Sequence, residues 1–178
     1  MTRASVLPAQ DFRKAMLETY AVNDRMNQLI LERLDPHAWR AKTAGRNART
    51  IAAIFAHMHN VRRKWLRLSA PDLKLPAELD RNRCTPKQTR AALAQSARLC
   101  SQMLAEALSH PEHKFLRDGW ARSWPGGAAM FAYMIVHDAH HRGQICMLAH
   151  QLGFPIKASY EMWNWEKLWK QCGFGRLG

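Results

Sequence analysis

Apolar residues recur at three- and four-residue intervals along almost the whole chain, and no sustained alternating run rich in Val, Ile and Thr interrupts them. The pattern predicts an all-α protein with almost no sheet. A first helix is expected over about residues 9–34, with Phe12, Met16, Tyr20, Met26 or Asn27, Ile30 and Leu34 along one side. It should stop at Asp35-Pro36, because the residue before a proline disfavours helical geometry. Thr50 reads as the cap of a second helix reaching about residue 68, with Ile54, Met58, Val61, Trp65 and Leu68 as its apolar stripe and Arg62, Arg63, Lys64 and Arg67 on its outer face. The third starts with a capping box, Thr85 as N-cap and Gln88 three residues on, with Pro86 at the first helical position. Leu93, Leu99 or Cys100, Met103, Leu104 and Leu108 continue it. A fourth covers about residues 127–152, after which Gly153 can take the left-handed conformation and Pro155 blocks continuation.

Four long helices is the count a four-helix bundle needs. Residues 110–126 form a long loop holding Phe115, Trp120 and Trp124, and residues 161–169 predict a short C-terminal fifth helix whose tryptophans cover a bundle end. At 178 residues the chain is sized for one domain, spanning residues 1–178. Its 47% hydrophobic and 23% charged residues exclude a disordered tail or a fibrous repeat. The longest uncharged runs, residues 123–137 and 143–156, contain His, Gly and Pro and fall short of the ~20 apolar residues that span a bilayer, so no membrane association is expected. The first residues hold no apolar signal segment, and Cys84, Cys100, Cys146 and Cys172 are widely spaced without a Cys-x-x-Cys pair. Reduced thiols and a cytoplasmic location are the expectation.

Candidate chemistry lies in the nine histidines. On the fourth helix Met130, Met134, His137, His141, Ile145, Leu148 and Leu152 share one stripe, so two imidazoles one turn apart replace apolar residues on the core-facing side. Burying them is costly unless both are satisfied. On the second helix His57 shares the stripe of Ile54, Val61 and Trp65, while His59 lies on roughly the opposite side. Three histidines from two helices can converge on a divalent metal and leave coordination positions open, the arrangement of a catalytic rather than a structural site. The same pattern also suits core histidines bonded to buried carbonyls or carboxylates. His140, three residues after His137, competes with His141 for the ligand role, and periodicity does not choose between them.

The stretch Thr50-Ile-Ala-Ala-Ile-Phe-Ala-His57, with Trp65 eight residues after the histidine, and the later His137-Asp-Ala-His-His141-Arg142-Gly143-Gln144 together resemble the DinB-like, or YfiT-like, metalloenzymes, a family unrelated to the similarly named DNA polymerase. The resemblance runs from the first helix to at least Pro155. It implies a four-helix bundle, often a homodimer, with a divalent metal held by His57, His137 and His141, and His140 as a neighbour. Zinc or nickel is favoured, with iron, manganese or cobalt compatible. Members of known activity look like thiol-dependent enzymes, transferring bacillithiol to electrophiles or using mycothiol in maleylpyruvate isomerisation. A thiol transferase or isomerase acting on a small-molecule substrate, with a low-molecular-weight thiol as cosubstrate, is the implied chemistry. Arg142 is a candidate to hold an anionic thiol or substrate, and Gly143, unfavourable inside a helix by ~1 kcal/mol, points to a close helix approach.

Three other readings compete. His137-Asp138-Ala139-His140-His141 can be taken as a variant zinc-peptidase motif with Glu161 as third ligand, although aspartate is one methylene short for the base. The net charge of +13 suggests a nucleic-acid-binding patch from Arg40, Lys42, Arg46 and Arg49 with Arg62, Arg63, Lys64 and Arg67. Against it, the excess is spread from Arg3 to Arg176 without a recognised motif. The last is a bundle whose metal serves structure without turnover.

Overall fold

The computed structural model describes residues 9–45, 48–110, 127–157 and 159–174. Among the described residues every regular element is helical: α1 (Ala9–Arg33), a 3-10 turn (Pro36–Ala38), α2 (Ile51–Ser69), α3 (Pro86–Ser109), α4 (Gly127–Gln151), α5 (Ser159–Trp163) and α6 (Trp165–Gln171). The four long helices form a bundle in which α1 and α2 each pack against α3 and α4. Local signals set their ends. Asp35 accepts from the His37 N–H at 2.8 Å and starts the turn that stops α1, Thr50 caps α2 by accepting from the Ala53 N–H, and both halves of the Thr85–Gln88 capping box form. Gly153, at φ +83°, closes α4 where a side chain would be strained.

The core has two apolar halves with a polar belt between them. Ile30, Ile51, Ile54, Phe55, Met58, Leu93 and Ile145 fill one half, and Tyr20, Trp65, Leu66, Cys100, Met103, Leu104, Met130 and Met134 fill the other. Each long helix crosses the boundary with polar residues: Asn23 and Asn27 on α1, His59 and Arg62 on α2, Ser96 on α3, Asp138 and His141 on α4, all buried. The belt is where the helices carry their chemistry.

Several expectations are corrected. Arg62 does not sit on an outer face: it is 1% exposed, because α2 packs against both α3 and α4 and has little free surface near its middle. For the same reason His59, opposite His57, is buried. Phe12 lies 64% exposed near the start of α1, beyond the reach of the core. The expected single C-terminal helix is two, α5 and α6, because Asn164 caps a new helix by accepting from the Lys167 N–H at 3.0 Å. Of its tryptophans, Trp169 packs with Leu168 against Val22, Met26 and Leu29 of α1, whereas Trp163 is 83% exposed. Phe115, Trp120 and Trp124 lie outside the described residues.

Gly143 makes no close approach among the described residues, since a Cβ there would meet nothing of them within 4 Å. Gly127 does: its Cβ would fall 2.7 Å from the Ala107 carbonyl carbon and 2.8 Å from the Leu108 nitrogen, backbone atoms that cannot rotate away. Gly127→Ala is therefore expected to destabilise by about 1–3 kcal/mol, the cost of overpacking. Thermal unfolding checks it; an unchanged midpoint would show that the start of α4 shifts freely.

All four cysteines are free, with Cys84 and Cys100 buried. Burial pushes the Cys100 thiol up to about 12, despite the opposing charge of Arg62. DTNB titration of the native protein is expected to leave Cys84 and Cys100 unreacted until denaturant is added, the half-buried Cys146 and Cys172 reacting first.

Candidate metal centre

His57 reaches the belt from α2, and His137 and His141 reach it from successive turns of α4. Ring centroids are 5.4 Å apart for His57 and His137, 4.8 Å for His57 and His141, and 4.5 Å for His137 and His141. One nitrogen from each ring can be chosen so that all three lie within 4.8 Å of one another. His57 and His137 are half-buried and His141 is buried, so the group sits at the edge of the core.

The donor chemistry fits a cation. Desolvation, then the charges of His141, His137 and Arg49, push His57 down to about 4. Desolvation lowers His141 as well, outweighing its hydrogen bond to Gln144. Both are neutral imidazoles at neutral pH, the form with a lone pair for a metal. The tautomer of His141 follows from its neighbour. Its Nδ1 lies 2.8 Å from the Gln144 Oε1, and an amide oxygen only accepts, so Nδ1 carries the proton and Nε2 is left bare. The Gln144 amide nitrogen in turn donates to His140 Nε2 at 2.9 Å, which occupies that nitrogen of the exposed His140.

Behind His137 stands Asp138, whose Oδ1 is 3.9 Å from His137 Nδ1. Its other oxygen accepts from Arg62 at 2.7 Å, Asn23 at 2.7 Å and Asn27 at 2.9 Å. Burial alone would raise this carboxyl, but the Arg62 charge and the hydrogen bonds from His137, Arg62 and Asn27 hold it well below the usual carboxylate range. Arg62 also donates to Asp24 at 2.8 Å and to the Leu93 carbonyl at 3.2 Å. On the other side Tyr133, one turn before His137, packs its ring 5.6 Å from the imidazole and meets Trp65 edge-on at 5.4 Å. The aromatic eight residues after His57 thus supports the second helix of the site through Tyr133.

Sequence reasoning had not singled out Gln144, Asp138, Arg62, Asn23, Asn27 or Tyr133 for these roles. Tyr133 was findable, four residues before His137 on the same face; the Asn23–Asn27 pair on α1 carries the same i,i+4 signal. Arg142 donates to Asn23 Oδ1 at 2.7 Å and Asn27 Oδ1 at 2.9 Å, so its guanidinium serves the α1–α4 contact. His59 donates from Nε2 to the Ala77 carbonyl at 2.8 Å and meets Ser96 Oγ through Nδ1 at 3.1 Å, a core histidine with both nitrogens used.

Some residues of the peptidase and nucleic-acid readings are engaged elsewhere. Glu161 is held by Arg33 at 3.1 Å and lines a different pocket, with Gly153 and Phe154, from the one that His57 lines. Of the basic patch, Arg62 is internal, Arg63 donates to the Pro76 carbonyl at 2.6 Å, and Arg40 donates to the Cys84 carbonyl at 2.5 Å. No helix among the described residues is long and apolar enough to cross a membrane.

An all-helical bundle with three histidines gathered from its second and fourth long helices defines a protein with a group fit for a metal ion. The chain matches the DinB family over residues 9–170 and belongs to it. Among curated proteins nothing matches.

Gln144→Ala removes the acceptor that fixes His141 while leaving all three imidazoles. Loss of such a partner weakens metal binding by about 10–100-fold. Competition against a chromogenic chelator is expected to show that drop with the helical circular dichroism of the parent, and equal affinities would remove the orienting role.

Proposed function

We propose that this DinB-family chain is a metal-dependent enzyme of thiol-transferase or isomerase type acting on a small electrophile, with His57, His137 and His141 holding one divalent ion. The observation that carries the reading is the convergence of three imidazoles, two of them held neutral, one of which, His57, lines a pocket of about 910 Å³. Zinc or nickel suits three nitrogen donors best, with iron, manganese and cobalt compatible. When bound, such an ion acidifies a thiol or polarises a carbonyl, given a coordination position open to the substrate.

The chain's own residues supply the rest. Gln144 keeps the His141 proton on Nδ1, Asp138 backs His137, and the Trp65–Tyr133 pair packs the His137 ring in place. No cysteine belongs to the three-histidine group among the described residues, and burial holds the Cys100 thiol protonated. The reacting thiol is accordingly a low-molecular-weight cosubstrate. Four free cysteines favour a reducing, cytoplasmic location. The family match over residues 9–170 favours one domain over the whole chain. A homodimer is favoured by the outer side of α4, where Ala132, Val136, Ala139, Gly143 and Met147 are exposed together.

Elemental analysis of tag-free protein tests the ligand set. The parent is expected to carry near-stoichiometric metal, and His57→Ala and His141→Ala to lose it while remaining helical. Full metal content in either variant would reject the assignment. Loaded parent, given small thiols and an electrophile, should consume thiol faster than metal-stripped protein; equal rates would leave a bundle with a metal and no turnover.

A further inference from the structure

The pocket beside His57 is lined by Lys42, Ala48 and Arg49 from before α2, by residues 78–82 from after it, and by the first turns of α2 itself. Its charged lining comprises Lys42, Arg49 and Arg81 against Glu78 and Asp80. The acidic groups are already engaged: Glu78 pairs with Arg63 at 3.3 Å, and Asp80 accepts from the Asn82 N–H at 2.7 Å with Arg83 at 3.9 Å. Asn60 is used too, its side chain donating to and accepting from the Leu79 backbone at 2.9 and 3.1 Å. The cations are not so engaged. Neither Lys42 nor Arg49 has an ion-pair or hydrogen-bond partner among the described residues. Arg49 immediately precedes the Thr50 cap, a fixed point of the backbone, and stands close enough for its charge to act on both His57 and His141.

We propose that this pocket is the subsite for a carboxylate on the substrate, with Arg49 as its main contact and Lys42 as a second, so that the enzyme takes an anionic small molecule whose other end reaches the three histidines. The inference rests on the metal reading of those histidines and extends it to substrate class. Imidazole ligands leave a divalent ion its full charge, and Lys42 and Arg49, both exposed on the pocket lining, add to a positive field that draws a small anion toward it. A volume of about 910 Å³ is that of a small-molecule site. With three cations against two engaged carboxylates, the lining carries a small positive excess, which suits a singly charged anion such as a carboxylate. Arg142, tied to Asn23 and Asn27, leaves this role to the connection before α2.

Two hydroxamates test the subsite without presuming thiol chemistry: succinic acid monohydroxamate, which carries a free carboxylate, and butyrohydroxamate, a neutral analogue of similar length with the same chelating head. Each is titrated into the full chain reconstituted with cobalt(II), and binding is read from the visible spectrum. The carboxylate compound is expected to bind at least about tenfold more tightly, the scale of one added charge contact, with the preference shrinking as salt is raised. Arg49→Gln should remove most of that preference and Lys42→Gln part of it, with cobalt content and butyrohydroxamate affinity as in the parent. Equal affinity of the parent for the two compounds would overturn the subsite, and so would a preference that survives in the double variant. Failure of the parent to take up cobalt would overturn the metal reading and the subsite with it, so the two failures are told apart by the cobalt spectrum alone.

Discussion

A guanidinium 1% exposed in the middle of a helical bundle is the constraint around which the rest of this structure is arranged. Bringing Arg62 out of water is expensive, and its charge stands only because Asp138 and Asp24 meet it at 2.7 and 2.8 Å. Such a pair adds little net stability compared with apolar residues of the same volume. Its effect is geometric. Asp138 must turn toward Arg62, Asn23 and Asn27, and on a helix that fixes the rotation of α4. His137 and His141, within one turn of Asp138, are thereby aimed at α2 and His57. The same asparagines accept from Arg142 through their oxygens, so α1 and α4 are held in register from both ends of each amide. The three-histidine group is one edge of a polar belt that also sets how the helices pack.

How much of this was legible follows from the range of each interaction. Local signals read correctly: the Thr50 cap, the Thr85–Gln88 box, the proline stop after α1 and the glycine at position 153 each depend on a few adjacent residues. The three histidines were legible as members of apolar stripes, and the stripes do meet. Choosing His141 over His140 needed the family pattern; in the structure it is His141 that is gathered with His57 and His137, while His140 is exposed. The burial of Arg62 was not legible. A run of Arg62, Arg63, Lys64 and Arg67 reads as a solvated face, and only the tertiary position of α2, packed against both α3 and α4, converts one of its arginines into a core residue. The acceptors that make this tolerable come from residues 24 and 138, far away in sequence and invisible to any periodicity.

The belt also explains why the histidines stay available. In an apolar core an imidazole takes the nearest carbonyl or hydroxyl, as His59 does with Ala77 and Ser96. His57, His137 and His141 instead lie against one another, with Gln144 bonded to His141 and with Asp138 and Tyr133 beside His137. Mutual repulsion, desolvation and the charge of Arg49 disfavour protonation of His57. What the rings hold in common is then a set of lone pairs at the edge of a pocket, the opposite of a satisfied core.

The net charge of +13 gains its meaning from position rather than size. Arg62 and Arg142 are structural, one balanced by carboxylates and the other by amide oxygens. Arg40 and Arg63 tie connections to backbone carbonyls, and Arg25 and Arg90 share Glu32 on the surface. Of the residues that counted as one basic patch in the sequence, Arg62 is withdrawn into the core and Arg40 and Arg63 are tied to backbone carbonyls. Lys42 and Arg49 line the pocket beside His57, next to the three-histidine group. Charges gathered at one pocket act on a small anion at a single place, which a surplus spread over the surface does not do.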